Sequence, residues 1–276
     1  MISIITAVHN QLDMNKIFVQ TLREYTCNPY ELIIIDNNST DGSKEFFEAN
    51  GAVVISNNSN YSYPYCQNQG IRKATYNNLV FLNNDIIVSP GWDVHLLKVL
   101  ERGEYNVVSF ASPDRCATLR ETKRQGRRWN WIKSIVLKVF NQSELTLRWM
   151  FKLRYRNWES FCRKMFKKYG YEMSEGFSGS AIAMNRAGLE KIGAWDERLQ
   201  EADFDLYMRS KKRNREYGDL QPLSIISGVY IHHFGRLTLK ARKKPVVFSD
   251  IKNLIPFESK WKVTMKYVAQ NFLKQY

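Results

Sequence analysis

The residues best suited to chemistry are three consecutive polar ones, Asn83, Asn84 and Asp85, which end the apolar run at residues 79–82. The run is typical of a buried β-strand, so it would hold the Asp85 carboxylate on a rigid support. A carboxylate there is a hard oxygen ligand, and it suits a divalent cation that also binds phosphates. Asn and Asp are also common in turns, so a polar turn is the alternative interpretation.

A second polar cluster, residues 36–43, follows the apolar run 32–35 and leads into a predicted helix. Asp, Asn and Ser suit a turn and a helix cap, which accounts for residues 39–43. Asp36 and Asn37 lie at the strand end, where a turn explains them less well. A base or ribose bound there would need acceptors for an imide N–H and for hydroxyls.

Short apolar runs alternate with amphipathic stretches through residues 1–112, and this pattern predicts the elements that position those side chains. Strands are predicted at residues 2–8, 32–35, 52–55, 79–82 and 107–111, and helices at residues 12–25, 43–50, 65–75 and 92–100. The alternation is typical of an α/β fold with a mostly parallel central sheet flanked by helices. Ligands of such sheets bind at the carboxyl ends of the strands, so one ligand could contact residues 6–10, 36–41 and 83–85 together.

The alternating pattern stops near residue 113 and resumes after residue 173, in a chain long enough for one large domain with a subdomain. Residues 174–240 contain predicted strands at 181–184 and 223–232 and predicted helices from residue 186 and from about residue 201. Residues 241–276 form a polar tail that we expect to be helical. The sequence therefore divides into four parts, of which residues 113–173 interrupt the regular architecture.

The net charge of +14 is concentrated in residues 115–170, which hold 16 Lys and Arg against 3 Asp and Glu, while the rest holds 25 against 24. Apolar residues recur there at helical spacing: Trp129, Trp131, Ile132, Ile135, Val136, Val139 and Phe140, then Trp158, Phe161, Cys162, Met165, Phe166 and Tyr169. Basic amphipathic helices of this kind suit an anionic membrane surface, and we expect residues 120–168 to bind one. The alternative is a helical subdomain packed on the core. We expect no nucleic-acid partner, because no nucleic-acid motif accompanies the charge.

Four widely spaced cysteines, Cys27, Cys66, Cys116 and Cys162, form no paired metal-ligand motif. They are typical of reduced thiols in a cytosolic protein rather than of a disulfide framework. The chain begins with a strand-like run, and no apolar stretch approaches the length that spans a bilayer. We therefore expect a cytoplasmic protein that is peripheral on the inner face of the cytoplasmic membrane.

The order of several short motifs resembles that of family 2 glycosyltransferases, which have a nucleotide-sugar-binding α/β fold called GT-A. The matching stretches are IITAVHN at 4–10, IIDNNSTD at 34–41, NQGI at 68–71, FLNND at 81–85, GFSG at 176–179, DFDL at 203–206 and YIHHFG at 230–235. Each motif is weak alone, but their order is specific, and the resemblance covers about residues 1–112 and 174–240. The Leu-Asn-Asn-Asp sequence is similar to that of a rhamnosyltransferase-like subgroup of bacterial enzymes.

The resemblance implies that residues 1–112 bind a nucleotide-sugar donor carrying UDP, dTDP or GDP. The implied donor-binding residues are Thr6, Ala7, Asn10, Asp36, Asn37, Asn68, Asn83 and Asn84. Asp85 would be the ligand of a divalent cation, Mn²⁺ or Mg²⁺, since Asn83-Asn84-Asp85 replaces the family's usual Asp-X-Asp. Two of these three positions are neutral amides, so we expect a sparse metal site that depends on the donor's diphosphate.

The resemblance also implies that one histidine of the 230–235 motif supports the metal or the diphosphate. Neighbouring strand residues point to opposite faces, so at most one of His232 and His233 is expected to face the site. We choose His233 as the metal ligand because Phe-Gly follows it as in the family, and His232 is the competitor.

The second matching half, residues 174–240, is expected to bind the acceptor and supply the catalytic base. The DFDL motif implies Asp203 as this base, but the family's preceding Glu is replaced by Ala202, so Glu201 is the alternative. Asp205 lies four residues before Arg209 and is expected to form a helix ion pair instead. The expected acceptor-binding residues are Gly179, Ser180, Trp195 and Asp196. For Trp195, a position in the core is the alternative interpretation.

These expectations describe an inverting glycosyltransferase that moves a sugar to a glycan or lipid-linked glycan acceptor of the cell-surface polysaccharide or lipopolysaccharide type. The alternative is a non-catalytic basic binding module that keeps the glycosyltransferase fold. The amide-rich metal motif and the missing Glu at position 202 motivate that alternative.

Overall fold

The structure is a computed structural model that describes residues 1–235 and 247–273. The strands are β1 (Ile2–Val8), β2 (Tyr30–Asn37), β3 (Val53–Asn57), β4 (Asn78–Leu82), β5 (Ile86–Ile87), β6 (Val107–Ala111), β7 (Met173–Glu175), β8 (Ala181–Asn185), β9 (Ser224–Tyr230) and β10 (His232–His233). The helices are α1 (Leu12–Tyr25), α2 (Ser43–Ala49), α3 (Tyr63–Lys73), α4 (Trp92–Glu101), α5 (Leu119–Val139), α6 (Glu144–Tyr155), α7 (Trp158–Tyr169), α8 (Arg186–Ile192), α9 (Ala202–Tyr217), α10 (Phe257–Trp261) and α11 (Met265–Leu273).

Eight strands form one central sheet in the order β3-β2-β1-β4-β8-β6-β9-β7. Strands β1 to β4 are mutually parallel, β6 is parallel to β9, and β7 and β8 run antiparallel to their neighbours. The predicted α/β fold with a mostly parallel sheet is confirmed. The two predicted halves of the chain both contribute strands to this single sheet.

Helices cover both faces of the sheet, as two hydrophobic clusters show. On one face, Ile4 packs with Phe18 of α1 and Trp92 of α4. On the other face, Ile5 belongs to the cluster that includes α3 and α9. Gly70 of α3 lies so close to β1 that an added Cβ would stand 2.2 Å from Ile5 Cγ2, so only glycine fits this helix–sheet contact.

The predicted strand at residues 223–232 is wrong at its end. Strand β9 stops at Tyr230, and the N–H of Ile231 donates to the carbonyl of Ala111 at 2.7 Å. The chain then leaves the main sheet, and β10 pairs antiparallel with β5, which directly follows Asp85. This small second sheet brings the histidine pair to the polar end of β4.

Helices α5, α6 and α7 pack on the core, as the alternative interpretation of a packed helical subdomain expects. Only part of the predicted apolar stripes makes this contact. Trp129, Trp158 and Cys162 are buried in a cluster with Met14 of α1 and Tyr230 of β9. Indole Nε1 of Trp129 donates to the carbonyl of Phe234 at 3.0 Å, and Lys133 Nζ donates to the carbonyls of Phe234 and Gly235 at 3.0 Å each. The basic insertion therefore holds the loop that carries the histidines.

Part of the predicted helical tail, residues 241–246, lies outside the described residues, as do residues 274–276. The described remainder contains a 3₁₀ turn at Ile251–Asn253 followed by α10 and α11. Phe257 is buried and packs on Phe204 of α9, with ring centroids 6.0 Å apart. We call residues 247–261 the C-terminal segment.

Among the described residues, no helix is long and apolar enough to cross a membrane. All four cysteines are free, in agreement with the expected reduced state.

Candidate functional site

Asp85 and His233 meet at the end of β4, where the second sheet joins them. Imidazole Nε2 of His233 lies 3.1 Å from Oδ1 of Asp85, and its Nδ1 lies 2.5 Å from Oδ2 of Asp114. The N–H of Phe234 donates to the carbonyl of Asp85 at 2.9 Å, and this bond fixes the two segments of the chain together. The predicted pairing of Asp85 with His233 is thus present, and Asp114 is a third member that the sequence did not reveal.

The two histidines have opposite environments. His232 is fully buried against Trp129 and Phe151, and Tyr155 Oη lies 2.9 Å from its Nδ1. Burial and the nearby Arg154 hold the pKa of His232 well below its usual value. Burial would also lower the pKa of His233, but Asp85 and Asp114 outweigh it and raise that pKa to about 10. Of the pair, the structure places only His233 at the candidate site.

Asp85 offers a carboxylate oxygen, and His233 in its neutral form offers an imidazole nitrogen, to a cation such as Mn²⁺ or Mg²⁺. Asp114 contacts the other ring nitrogen, so it can orient the imidazole rather than bind the same ion. Within residues 1–235 and 247–273, no three such side chains are arranged to hold a metal by themselves. A cation here would need further ligands, and the phosphates of a nucleotide are the chemically fitting source.

A cavity of ≈ 260 Å³ opens beside this cluster, at the carboxyl ends of β1 and β2. We call it the donor cavity. It is lined by the predicted residues Ala7, Asn37 and Asn84, and also by Val8, His9, Asn60, Tyr61, Tyr63, Gln200 and Phe248. An aromatic wall with several amides is suited to a flat base and its polar edge. Of these additional residues, only Val8 and His9 lie inside a recognised motif, at residues 4–10.

The strand-end amides are held by local hydrogen bonds. Asn37 donates from Nδ2 to the carbonyl of Tyr61 at 2.9 Å and accepts at Oδ1 from Asn57 Nδ2 at 2.8 Å. Imidazole Nδ1 of His9 lies 2.6 Å from the carbonyl of Asn37. Asn84 donates from Nδ2 to Oδ1 of Asn15 at 2.7 Å. These contacts orient the cavity wall before any ligand arrives.

Five of the predicted donor residues are absent from the lining of this cavity: Thr6, Asn10, Asp36, Asn68 and Asn83. Asp36 is buried, and both carboxylate oxygens accept from the N–H of Ser39 at 3.3 Å. The Asn10 side chain accepts from the N–H of Thr40 at 2.8 Å. Thr6 is fully buried, and its hydroxyl is unpartnered. Asp36 and Asn10 therefore shape the turn after β2.

Asn83 links the metal motif to the predicted acceptor loop. Its N–H donates to the carbonyl of Ser180 at 2.9 Å. Next to Ser180, Gly179 lies against the Asp203 carboxylate, where an added Cβ would stand 2.1 Å from Asp203 Oδ2. A continuous series of contacts therefore runs from Asp85 through the acceptor loop to Asp203.

Asp203 lies in the first turn of α9 and is only partly exposed. Its Oδ1 accepts from the N–H of Phe204 at 2.9 Å. Burial, with a smaller contribution from the charge of Glu201, raises the pKa of Asp203 to about 6. A carboxylate with a raised pKa remains ionised at neutral pH and is a stronger base than an ordinary one. Glu201 is the N-cap residue of α9, and its carboxylate makes no cap hydrogen bond.

We predict that Gly179→Ala lowers the turnover number by about 10²-fold, because the new methyl group displaces the Asp203 carboxylate from its position. The measurement is steady-state transfer, with thermal unfolding to check that the variant is folded. In an Asp203→Asn background, Gly179→Ala should lower the turnover number only slightly further, because the group that it displaces is already inactive. Equal losses in both backgrounds would show that Gly179 acts on something other than Asp203.

Two predicted ligand-binding residues are corrected by the structure, which places them in the core. Trp195 is 3% exposed and packs edge-on against Phe81 and Tyr63, so it cannot stack on a sugar. Asn68 donates from Nδ2 to the Trp195 carbonyl at 2.9 Å and to Glu197 Oε1 at 2.8 Å. It also accepts from the N–H of Trp195 at 3.0 Å. Asn68 therefore anchors the loop before α9 rather than the donor.

The predicted ion pair of Asp205 is present, with Arg209 Nε 2.7 Å from Oδ2. Lys260 of the C-terminal segment adds a second partner, 2.5 Å from Oδ1. Asp196, an expected acceptor ligand, is instead paired with Arg198 and Lys260, each at 2.8 Å. These partners hold the pKa of Asp196 well below its usual range. Lys260 thus ties the C-terminal segment to α9 through Asp205 and to the loop before α9 through Asp196.

The fold and this edge of the sheet define an α/β enzyme with a nucleotide-sized cavity beside a carboxylate–histidine cluster. The sequence profile described as Glycosyl transferase family 2 matches residues 3–193, more than half of the chain. The chain therefore belongs to this family.

One of the similar solved structures supports the fold. GalNAc-T7 with UDP, GalNAc and Mn²⁺ is 16% identical with a TM-score of 0.54, over 84% of this chain and 43% of that one. Mannosyltransferase PcManGT from Pyrobaculum calidifontis, in complex with GDP-Man and Mn²⁺, is 17% identical with a TM-score of 0.48, over 81% and 56%. A mycobacterial protein is 15% identical with a TM-score of 0.48, over 89% and 68%. This chain thus spans about half the length of the first two. Among curated protein sequences there is no significant match.

Proposed function

We propose that this chain is an inverting, metal-assisted glycosyltransferase that moves a sugar from a nucleoside-diphosphate donor to a hydroxyl of a glycan or lipid-linked glycan. The observation that carries the proposal is the Asp85–His233–Asp114 cluster beside the donor cavity, linked by contacts through Gly179 to Asp203. GalNAc-T7, which shares the fold, contains UDP and Mn²⁺. The Leu-Asn-Asn-Asp sequence at 82–85 favours a deoxyhexose such as rhamnose as the donor sugar.

Asp203 is the proposed base. Its carboxylate takes the proton of the acceptor hydroxyl as that oxygen forms a bond to the anomeric carbon. The bond from the anomeric carbon to the diphosphate oxygen breaks in the same displacement, and its electron pair leaves with the nucleoside diphosphate. Attack from the face opposite the leaving group inverts the configuration at the anomeric carbon.

Asp85 and His233 are the proposed residues that hold the cation, with Mn²⁺ or Mg²⁺ as the candidates. When bound, such an ion supplies positive charge for the departing diphosphate. Asn84 lines the donor cavity, and Asn83 fixes the acceptor loop through Ser180. Gly179 and Ser180 then border the acceptor beside Asp203.

The test uses the purified chain with UDP-, dTDP- and GDP-sugars, each with Mn²⁺, with Mg²⁺ and with a chelator. We expect one donor class to raise the unfolding temperature in a cation-dependent way, since a ligand that binds only the folded state stabilises it. Release of that nucleoside diphosphate should rise when the acceptor glycan is added. Failure of every donor to bind, with either cation, would contradict the proposal.

The exposed part of the basic insertion supports a membrane-linked acceptor. Helix α5 exposes Trp131, Ile135 and Val139 at 66%, 47% and 75%, four residues apart on one face. Helix α6 exposes Leu145, Trp149 and Leu153 with the same spacing. We call these six residues, which are distinct from the buried stripe, the exposed stripes. Phe140 joins the two helices by edge contact with Trp149 at 5.8 Å.

The charge around the exposed stripes supports an anionic lipid surface as their partner. Exposed basic side chains flank them at Arg127, Arg128, Lys138 and Lys152. Apolar residues that enter the lipid interface and cations that meet its headgroups reinforce each other. We propose that this face holds the enzyme at the cytoplasmic membrane surface, where a lipid-linked acceptor lies.

We predict that Trp131→Ser combined with Trp149→Ser lowers the affinity for anionic vesicles by at least about tenfold, because each indole contributes buried apolar area. The measurement is co-sedimentation with vesicles of phosphatidylglycerol and phosphatidylcholine at two salt concentrations. Tyr217→Ser is the matched control, since Tyr217 is equally exposed at 66% but lies at the end of α9. Deletion of the insertion is unsuitable, because Trp129 and Trp158 belong to the core.

Equal binding of the wild-type chain to neutral and anionic vesicles would contradict the electrostatic part of this proposal. Full binding by the double variant would contradict the role of the exposed stripes.

A further inference from the structure

One wall of the donor cavity comes from the C-terminal segment, beyond residues 3–193 that the family profile matches. We infer that Phe248 is a nucleobase-contacting residue that determines donor affinity, and that Asp250 is its positioning residue. The inference rests on the proposed function insofar as the cavity is taken to hold the donor nucleotide.

Hydrogen bonds on both sides of Phe248 fix its place in the cavity wall. Before it, Asn60 Nδ2 donates to the carbonyl of Val247 at 3.2 Å. After it, the N–H of Ser249 donates to the carbonyl of Asn60 at 2.8 Å. Asn60 itself lines the cavity, so Phe248 is held directly opposite a residue of the donor-binding half.

Asp250 also bonds the C-terminal segment to Ser62, the N-cap residue of α3. Its Oδ1 accepts from the N–H of Ser62 at 3.0 Å, and its Oδ2 accepts from the Ser62 hydroxyl at 2.5 Å. Ser62 is fully buried, so the carboxylate satisfies two groups that would otherwise lack a partner. Loss of Asp250 should therefore release the residues that hold Phe248.

The other end of the C-terminal segment is fixed to the acceptor half. The N–H of Ile255 donates to the carbonyl of Arg198 at 2.7 Å. Lys260 and Trp261 both bind Oδ1 of Asp205 on α9, at 2.5 and 2.9 Å. Helix α9 also carries Asp203, so the segment joins the nucleotide wall to the helix of the proposed base.

The lining around Phe248 indicates the ligand that it contacts. Tyr61 lies in the same cavity and stacks on Tyr65, with ring centroids 4.6 Å apart. Asn60 supplies an amide group to the same lining, whereas the amide of Asn37 is bonded to Tyr61, Asn60, Asn57 and Cys66. Aromatic faces bind any base by stacking, while amides read its edge, so the part of the donor placed here is the nucleobase rather than the diphosphate.

The test compares nucleoside diphosphates with inorganic pyrophosphate, which has the phosphates but no base. Using the full chain with Mn²⁺, calorimetry first identifies which of UDP, dTDP and GDP binds the wild type. Phe248→Ala should raise the dissociation constant of that nucleotide about tenfold and leave pyrophosphate binding unchanged. Phe248→Leu, which keeps apolar bulk without an aromatic face, should show most of the same loss.

Asp250→Ala should reproduce the loss of nucleotide affinity and raise KM for the donor while kcat changes little. Tyr217→Ala, an exposed aromatic far along α9, is the matched control. Unchanged nucleotide binding by both Phe248 variants would overturn the inference, as would an equal loss of nucleotide and pyrophosphate binding. If the wild type binds no nucleoside diphosphate at all, the proposed function fails instead, so the two failures are distinguishable.

Discussion

Asp203→Asn is expected to lower the turnover number for sugar transfer by about 10²- to 10⁴-fold, the usual contribution of a positioned general base. The amide cannot take the proton of the acceptor hydroxyl, although it is nearly the same size as the carboxylate. Donor binding should remain, because Asp203 lies against the acceptor loop at Gly179 and not in the lining of the donor cavity. The measurement is kcat together with the calorimetric dissociation constant for the nucleoside diphosphate.

The pH dependence provides an independent check on the same residue. Burial raises the pKa of Asp203 to about 6, and only the ionised carboxylate acts as a base. The value of kcat/KM should therefore be near its plateau above about pH 7 and fall about tenfold per unit well below pH 6. The residual activity of Asp203→Asn should lack this acidic limb.

Glu201→Gln is the matched control, because Glu201 is the other candidate base and lies two residues away. We expect a modest effect, since its charge only adds to the raised pKa of Asp203. The substitution should shift the acidic limb slightly toward lower pH. If Glu201→Gln abolished transfer while Asp203→Asn did not, the assignment of the base would be reversed.

Asp85→Ala is expected to lower transfer by about 10²- to 10³-fold, because a cation at the diphosphate is worth several kcal/mol of transition-state stabilisation. Asp85 is the one carboxylate in its motif, and the neighbouring amides carry no charge to replace it. Mn²⁺ binding in the presence of nucleoside diphosphate, measured by electron paramagnetic resonance, should weaken together with the loss of transfer. Full retention of cation-dependent activity would contradict the role of Asp85.

Asp114→Ala serves as the control for this prediction, since Asp114 contacts the same histidine from its other side. Its side chain is 57% exposed, against 12% for Asp85. Removal of the exposed Asp114 carboxylate should lower transfer much less than removal of Asp85, because water replaces it. His233 would then keep its contact with Asp85, and we expect a loss of no more than about tenfold.

Much of the fold followed from local patterns. Alternating apolar runs gave the strand positions of the first half, and the register of β1, β2 and β4 brings their polar ends to one edge as expected. The pairing of Asp85 with His233 was also expected, but through the family resemblance rather than through spacing. Nothing in the local sequence predicted Asp114, because an exposed acid after a strand resembles any other loop acid.

The errors came from residues whose types suit two environments. Trp195 and Asn68 have the chemistry of sugar-binding residues, yet they bind each other in the core. In the basic insertion, helical spacing is the same for the buried stripe and for the exposed stripes. Trp129 faces the core and Trp131 faces solvent at 66% exposure, and periodicity alone does not tell which stripe has a partner.

By itself, the sequence determined the α/β class, the sheet edge that carries the chemistry and the concentration of positive charge in one segment. These depend on contacts between residues near in sequence, where spacing fixes which side chains share a face. Only the tertiary structure decided which histidine reaches Asp85, which aromatic residues are buried, and that the C-terminal segment supplies Phe248 to the donor cavity. Those outcomes depend on contacts such as Ser62 with Asp250, across 188 residues, for which no local pattern exists.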